Sequence, residues 1–453
     1  MLRKACLAWA ISIAIILCAG APIQAFASEG PDNSLNVRST QAQDQDHPAL
    51  HAQVSAVSAS SAPSSSKKTA HVKKPTKKQL AAFKKASADF SIELFRRSVA
   101  AQGRNANVTV APLSIMSAMA ITANGASGKT GKQMRNVLGD GASMARINKN
   151  LSWYNSKLTN TKRAKLSNAN SIWYHNDGTI IPKKGFLDKT ASYYGAETTA
   201  ADFSSGKTVD DINRWVSDNT NGMIRSIVDR LSPRDRIAIV NALYFDAKWK
   251  EPFDATLTKK QEFTNAKGAK SKVKMMHSAE HKFISGKNVA GFIKPYAKGY
   301  SYVALLPKKG LPLKKYVASL TGTKFRKLVS GATGANVIVS LPKQSLTYSN
   351  DAMEKQLSAM GMKTAFSPKR ADFSKMASDA TGKLHIGQVV HKTRVDVDEV
   401  GTKAAAVTGV FMKSGAIRLG DVKRVILNRP FVYAIVDNAT KLPVFIGAVN
   451  NLR

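Results

Sequence analysis

The chain has 453 residues, 43% of them hydrophobic, with 68 Lys and Arg against 30 Asp and Glu, a formal charge of +38. That length can bury a large core without cross-links. Its two cysteines, Cys6 and Cys18, both lie in the first 27 residues, so a chain trimmed there has no disulfide, cysteine nucleophile or thiolate metal site.

The charge favours anionic partners such as cell-wall polymers, sulfated glycans or nucleic acid. The basic residues are spread widely, however, and no nucleic-acid-binding motif accompanies them. A solvated basic surface is the simpler reading, with no specific nucleic acid as partner.

Met1 to Ala27 reads as a secretory signal. Arg3 and Lys4 make the basic start, Leu7 to Ala19 is apolar, and Ala25-Phe26-Ala27 is an A-x-A cleavage site before Ser28. The expectation is a secreted, extracellular protein. The alternative is an anchor formed by an uncleaved N-terminal segment, since no charge occurs from Ala5 to Ser28. Residues 28–78 have the composition of a disordered Ser/Ala/Lys-rich tail, ending in Lys67, Lys68, Lys73, Lys74, Lys77 and Lys78. An ordered domain is expected over residues 79–453.

Leu80, Phe83, Phe90 and Leu94 recur at helical spacing, which predicts a helix over 79–101. A short strand follows at 107–110, then an apolar helix over 113–123 opened by Pro112, and another helix ending at Leu138. Ala123 to Thr130 fits a loose phosphate-loop pattern, but it follows a helix rather than a strand, so its amides are poorly placed for phosphate. Helices are predicted at 143–158, with Ser143 as N-cap, at 185–194 and at 209–220. The first carries Arg146, Lys149 and Lys157.

Arg236 to Phe245 is almost continuously apolar and β-prone, the pattern of a strand buried on both faces. Strands are also predicted at 169–174, 262–264, 273–277, 292–294, 302–306 and 337–342, and a helix at 352–360 ending at Gly361. His277-x-x-Glu280-His281 matches a zinc-peptidase spacing. That chemistry needs a helix, whereas the residues before it alternate like a strand. No cofactor or metal is expected. A buried hairpin joins 432–436 to 444–449.

The most informative stretch is Val395 to Leu419. Val395 and Val397 alternate with Asp396 and Asp398 as in a half-exposed strand. From Gly401 a run of small residues follows. Alternate positions Thr402, Ala404, Ala406, Thr408, Val410 and Met412 are small or apolar, while Lys403 and Lys413 fall on the other face. Such a segment can be a surface loop, and it can equally enter a sheet with its uncharged face inward.

Glu399-Val400-Gly401-Thr402, followed by Ala404, Ala405, Ala406, Val407 and Thr408, resembles the hinge of the serpin reactive-centre loop. Val425 to Ile435 is similar to the serpin signature, and Val240 to Phe245 with Lys248-Trp249 is similar to the central strand of the large serpin sheet. The resemblance covers residues 79–453. It implies an α+β serpin fold with three β-sheets, eight or nine helices and an exposed loop. It also implies no catalytic activity, but suicide inhibition of a serine (or cysteine) protease by insertion of the cleaved loop. A non-inhibitory carrier or binding protein is the alternative within the family.

On that resemblance Glu399 ends the strand and pairs with Lys343, Gly401 provides the bend, and Thr402 to Thr408 insert. Lys403 departs from the acidic residue common there. Ser114, Asn241 and His391 belong to a polar gate where the sheet opens, with Trp249 packed at the top of the gap. Ala111 stands where relatives usually have Ser. Counting from Glu399 puts the reactive bond at Gly415-Ala416. Ala416-Ile417 would suit an elastase-like or subtilisin-like enzyme, and Arg418-Leu419 a trypsin-like one. The partners implied are a target serine protease and, through the basic residues, an anionic polymer or cell surface; the protein itself is expected to be a monomer.

Overall fold

A computed structural model describes residues 11–19 (backbone only), 73–402 apart from 233 and 381, and 422–453. Residues 28–72 of the tail, hinge residues 403–408 and the reactive-bond candidates 415–419 lie outside the described residues. So does the cleavage site at 25–28.

The described residues form three sheets and nine α-helices, an α+β fold. Six strands of the large sheet are labelled here: β1 (Ile11–Ala19), β2 (Ala164–His175), β3 (Asp235–Lys248), β4 (Gln344–Asn350), β5 (Leu384–Val397) and β6 (Gly401–Thr402). β4 pairs with β5 and β2 with β3, both antiparallel. Between β5 and β3 lie two short strands end to end, β6 and then β1, each bonded to both neighbours.

The predicted central strand is present and three residues longer at its C-terminal end. Nearly all of β3 is buried, because sheet neighbours flank its edges and packed layers cover both faces. The helix α1 (Lys77–Ala101) starts two residues before the predicted point. Thr76 and Gln79 close a capping box there, satisfying two otherwise orphaned backbone donors. In α2 (Pro112–Asn124) every residue is buried, as expected of a helix that is apolar all round.

The second sheet has nine strands and carries the C-terminal hairpin Phe431–Asp437 and Pro443–Val449. The third is a two-stranded ribbon of Ile180–Pro182 and Ala377–Asp379. The zinc-like motif lies within the 17-residue strand Lys270–Gly286. Four residues of strand separate positions by about 13 Å, so His277 and His281 cannot converge as they would on a helix. His277 Nδ1 instead meets Ser340 Oγ at 2.9 Å. The phosphate-loop pattern follows α2 and opens the helix Gly128–Gly139, the wrong setting for that chemistry. No helix among the described residues is long and apolar enough to cross a membrane.

Besides the strands Asn160–Thr161 and Glu197–Ala201, two parts of the large sheet were not anticipated. β4 reads Gln-Ser-Leu-Thr-Tyr-Ser-Asn, and its burial alternates strictly over the first six residues, a period-2 signal present in the sequence. The other is β1, whose residues read first as the apolar core of a signal. An uncharged run rich in isoleucine suits a signal core and a buried strand equally.

Candidate functional site: the slot between β3 and β5

The slot has a tied upper end and a polar lower end. At the upper end β5 stops at Val397 and the chain turns. Asp398 builds the turn, its Oδ1 accepting from the backbone N–H of Val400 (2.9 Å) and Gly401 (3.1 Å). This is the Asx geometry that makes Asp a turn former. Burial pushes the Asp398 carboxyl up, and the two amide bonds partly oppose that.

The turn is bonded to the segment after β3. Trp249 N–H donates to Val400 O and Phe253 N–H to Glu399 O, both at 2.9 Å. Trp249 Nε1 donates to Asp398 O, also at 2.9 Å. Trp249 is fully buried and stacks on Tyr296, with ring centroids 4.3 Å apart. The Tyr296 hydroxyl in turn bonds the buried Thr402 hydroxyl. Beneath Trp249 sits a buried ion pair, Lys294 Nζ to Glu280 Oε1 at 2.6 Å, with the ammonium 4.1 Å from the Phe253 ring centroid.

Glu399 and Lys343 meet at 2.5 Å, and Thr258 Oγ1 donates to Glu399 at 2.9 Å. Burial alone would raise the Glu399 carboxyl. The bonds from Lys343 and Thr258, with a backbone bond of its own, bring it below its ordinary value.

Gly401 sits in β6 with no left-handed backbone, so the bend belongs to Asp398 rather than to Gly401. Its lack of a side chain has another cause. A Cβ there would lie 2.2 Å from the carbonyl oxygen of Ala247 on β3. Only glycine lets the chain enter the ladder this closely.

The lower end is built from neutral polar groups. Asn241 is fully buried at mid-β3. Its Nδ2 donates to Asn168 Oδ1 (2.6 Å), Asn170 Oδ1 (2.8 Å) and Ala169 O (3.1 Å) of β2. Its Oδ1 accepts from the Ser114 hydroxyl of α2. Across the slot on β5, His391 is fully buried, and its Nε2 accepts from the backbone N–H of Ala111 at 3.2 Å. Burial pushes the His391 imidazole down to about 3, so it is neutral. Ala111 gives α2 no side-chain cap; His391 takes one of the helix-end donors instead. Asn241 and His391 occupy the same rung, both opposite Ile13 of β1.

The structure therefore assembles Ser114, Asn241 and His391 at one end, and Lys343, Glu399, Gly401, Thr402 and Trp249 at the other. The sequence pattern did not single out Asp398, Tyr296, Lys294 or Thr258, and it marked Glu280 only within the zinc-peptidase spacing. Of these only Asp398, two and three residues before the amides it accepts, carried a local signal. The rest converge from distant segments.

Comparison with known proteins agrees with this geometry. Residues 85–452 match the family model "Serpin (serine protease inhibitor)". A serine protease inhibitor of Cyanea capillata is 31% identical over 379 residues, 81% of this chain and 97% of that protein. Among solved structures, the thermophilic serpin tengpin in its native state superposes with a TM-score of 0.78 at 42% identity, over 84% of this chain and 96% of that one. Human thyroxine-binding globulin in complex with thyroxine superposes with a TM-score of 0.72 at 25% identity, over 82% and 99%.

Proposed function

Because this chain belongs to the serpin family, whose members include protease inhibitors, we propose that it is a secreted suicide inhibitor of serine proteases. Cysteine proteases, which also form acyl-enzymes, are a second target class. The observation that carries the reading is that Thr402 is already paired with both β5 and β3, and Gly401 with β3, at the mouth of the slot.

The protease attacks the loop after Thr402 as a substrate, and its nucleophile forms an acyl-enzyme on the new C-terminal carbonyl. The cut frees the segment from Lys403 onward to continue β6 down the slot. About twelve residues at roughly 3.3 Å each carry the attached enzyme about 40 Å. Both edges of the new strand gain ladder bonds, which drives the step, and the enzyme is trapped before deacylation. The chain supplies a substrate and a spring, not a catalyst.

Gly415-Ala416 is the first candidate bond, Ala416-Ile417 the alternative for an elastase-like or subtilisin-like enzyme, and Arg418-Leu419 for a trypsin-like one. Residues 1–27 act as the secretory signal, and the residues from Ser28 up to the start of α1 act as a tail. Arg146, Lys149, Lys157, Lys162, Arg163 and Lys165 are all exposed and offer an acidic polymer a basic surface.

The rival reading is a carrier, supported by the likeness to thyroxine-binding globulin. The uncharged inward face of 402–412 favours the inhibitor. The test is incubation of the chain, its first 27 residues removed, with a panel of serine proteases. An SDS-resistant adduct, with the released C-terminal peptide sequenced to locate the cut, is the expected result. Thr402→Arg places a charge at a buried rung and turns inhibitor into substrate. An adduct formed equally well by that variant would defeat the insertion mechanism.

A further inference from the structure

The slot is filled by the chain's own N-terminal segment, and the register says what that segment displaces. Gly401 pairs with Lys248 and Thr402 with Ala247, so each step forward on β6 is a step back on β3. Four rungs further, Ala406 would stand opposite Leu243, where Ile11 now sits. Continuing, Ile13, Ile15 and Leu17, opposite Asn241, Ile239 and Ile237, hold the rungs of Thr408, Val410 and Met412. The other edge gives the same answer. Thr402 pairs with Val397 of β5, and five rungs further Val407 would meet Lys392, where Ser12 now sits opposite both Lys392 and Ala242.

β1 thus runs in the direction, and through the first part of its length in the register, that an inserted loop would take. Two strands cannot bond the same edges. β1 also meets what the slot demands: nine consecutive uncharged residues, mostly apolar and four of them isoleucine, ladder-bonded on both sides.

We propose that Ile11–Ala19 is an intrachain plug, which blocks loop insertion while the N-terminal segment remains attached and releases the slot when that segment is removed. The precursor is then a protease substrate and the trimmed chain an inhibitor. Premature insertion of the chain's own loop is prevented until the plug is gone. The functional half of this statement rests on the insertion reading above; the structural half, that the segment occupies the slot, does not.

The test uses the full chain, its intact mass confirming that residues 1–27 are present, and the variant Ile13→Pro. Proline at the rung of Asn241 and His391 removes a ladder donor and disfavours the strand. Hydrogen exchange reports the plug directly. The amides of 11–19 should exchange at least about a hundredfold more slowly than in an isolated peptide of that sequence, and lose this protection in Ile13→Pro. Free exchange of 11–19 in the full chain overturns the plug, whatever the loop does.

The second readout is thermal unfolding before and after a protease cuts between 403 and 421. The full chain should gain no heat resistance on cutting, and Ile13→Pro should gain it. A gain by both overturns the blocking role and leaves insertion standing. Protection of 11–19 with a gain by neither overturns insertion, and with it the release step. A second variant, Ser12→Asp, guards against misfolding of the first: it places a charge within the plug without removing a ladder donor, and should behave as Ile13→Pro does.

Discussion

The two ends of the slot are held by different physics. The upper end depends on geometry and charge: backbone bonds from Trp249 and Phe253 to the turn, the stacked Trp249–Tyr296 pair, the buried Lys294–Glu280 pair and the partly buried Lys343–Glu399 pair. The lower end depends on neutral hydrogen bonds alone, around Asn241 and His391. A charged, multiply bonded anchor sets where a strand begins, since losing its register would leave buried charge unpaired. A neutral network can exchange partners at a smaller penalty. The upper end therefore defines the register of an entering strand, and the lower end is the part able to part.

The largest expected effect is at the upper end. Glu280→Ala leaves the Lys294 ammonium buried and unpaired, and should cost about 3–5 kcal/mol by denaturant titration. A loss below about 1 kcal/mol would show that this pair does not anchor the turn.

At the lower end, Asn241→Ala removes the acceptor of the Ser114 hydroxyl and the donor to Oδ1 of both Asn168 and Asn170, and should cost about 2–3 kcal/mol. If the comparison holds, it should also speed loop insertion, whereas Glu280→Ala should not.

His391 sharpens the contrast through pH. Its folded value, about 3, lies below the ordinary imidazole value near 6.5. The unfolded chain therefore binds the proton first. The stabilisation is complete above the ordinary value and is lost as pH falls from there toward the folded value, by up to about 1.4 kcal/mol per pH unit. Subtracting the pH profile of His391→Gln, whose amide oxygen can still accept from Ala111, isolates this slope; matching profiles would assign the acid sensitivity to the carboxylates.

The smallest effect is expected from Lys343→Ala. The lysine is one-third exposed, and a solvent-screened pair contributes at most about 1 kcal/mol. A larger loss would place this pair among the buried anchors.

Much of the fold was legible because local pattern and tertiary role coincide. Arg236 to Phe245 reads as a doubly buried strand and is one, and the apolar helix behind Pro112 is buried on every side. Gate residues Ser114, Asn241 and His391 came from resemblance, since nothing local marks a buried asparagine as the centre of a network. Tyr296 and Lys294 were invisible for the same reason: each acts on a residue about a hundred positions, or fourteen, away through a fold that spacing does not encode. Gly401 was singled out correctly as special but for the wrong cause, because a close approach to Ala247 depends on a neighbour strand over 150 residues earlier.

By itself the sequence determined many of the helices and strands, that the hinge side chains are small and uncharged on alternate positions, and that an uncharged apolar run lies near the N-terminus. Periodicity and composition are local quantities, so they could be read directly. Only the tertiary structure decided that this N-terminal run pairs with the same two strands as Thr402 does. A strand's partners are chosen by which unpaired backbone edges the rest of the fold leaves open, and that choice is made across the whole chain.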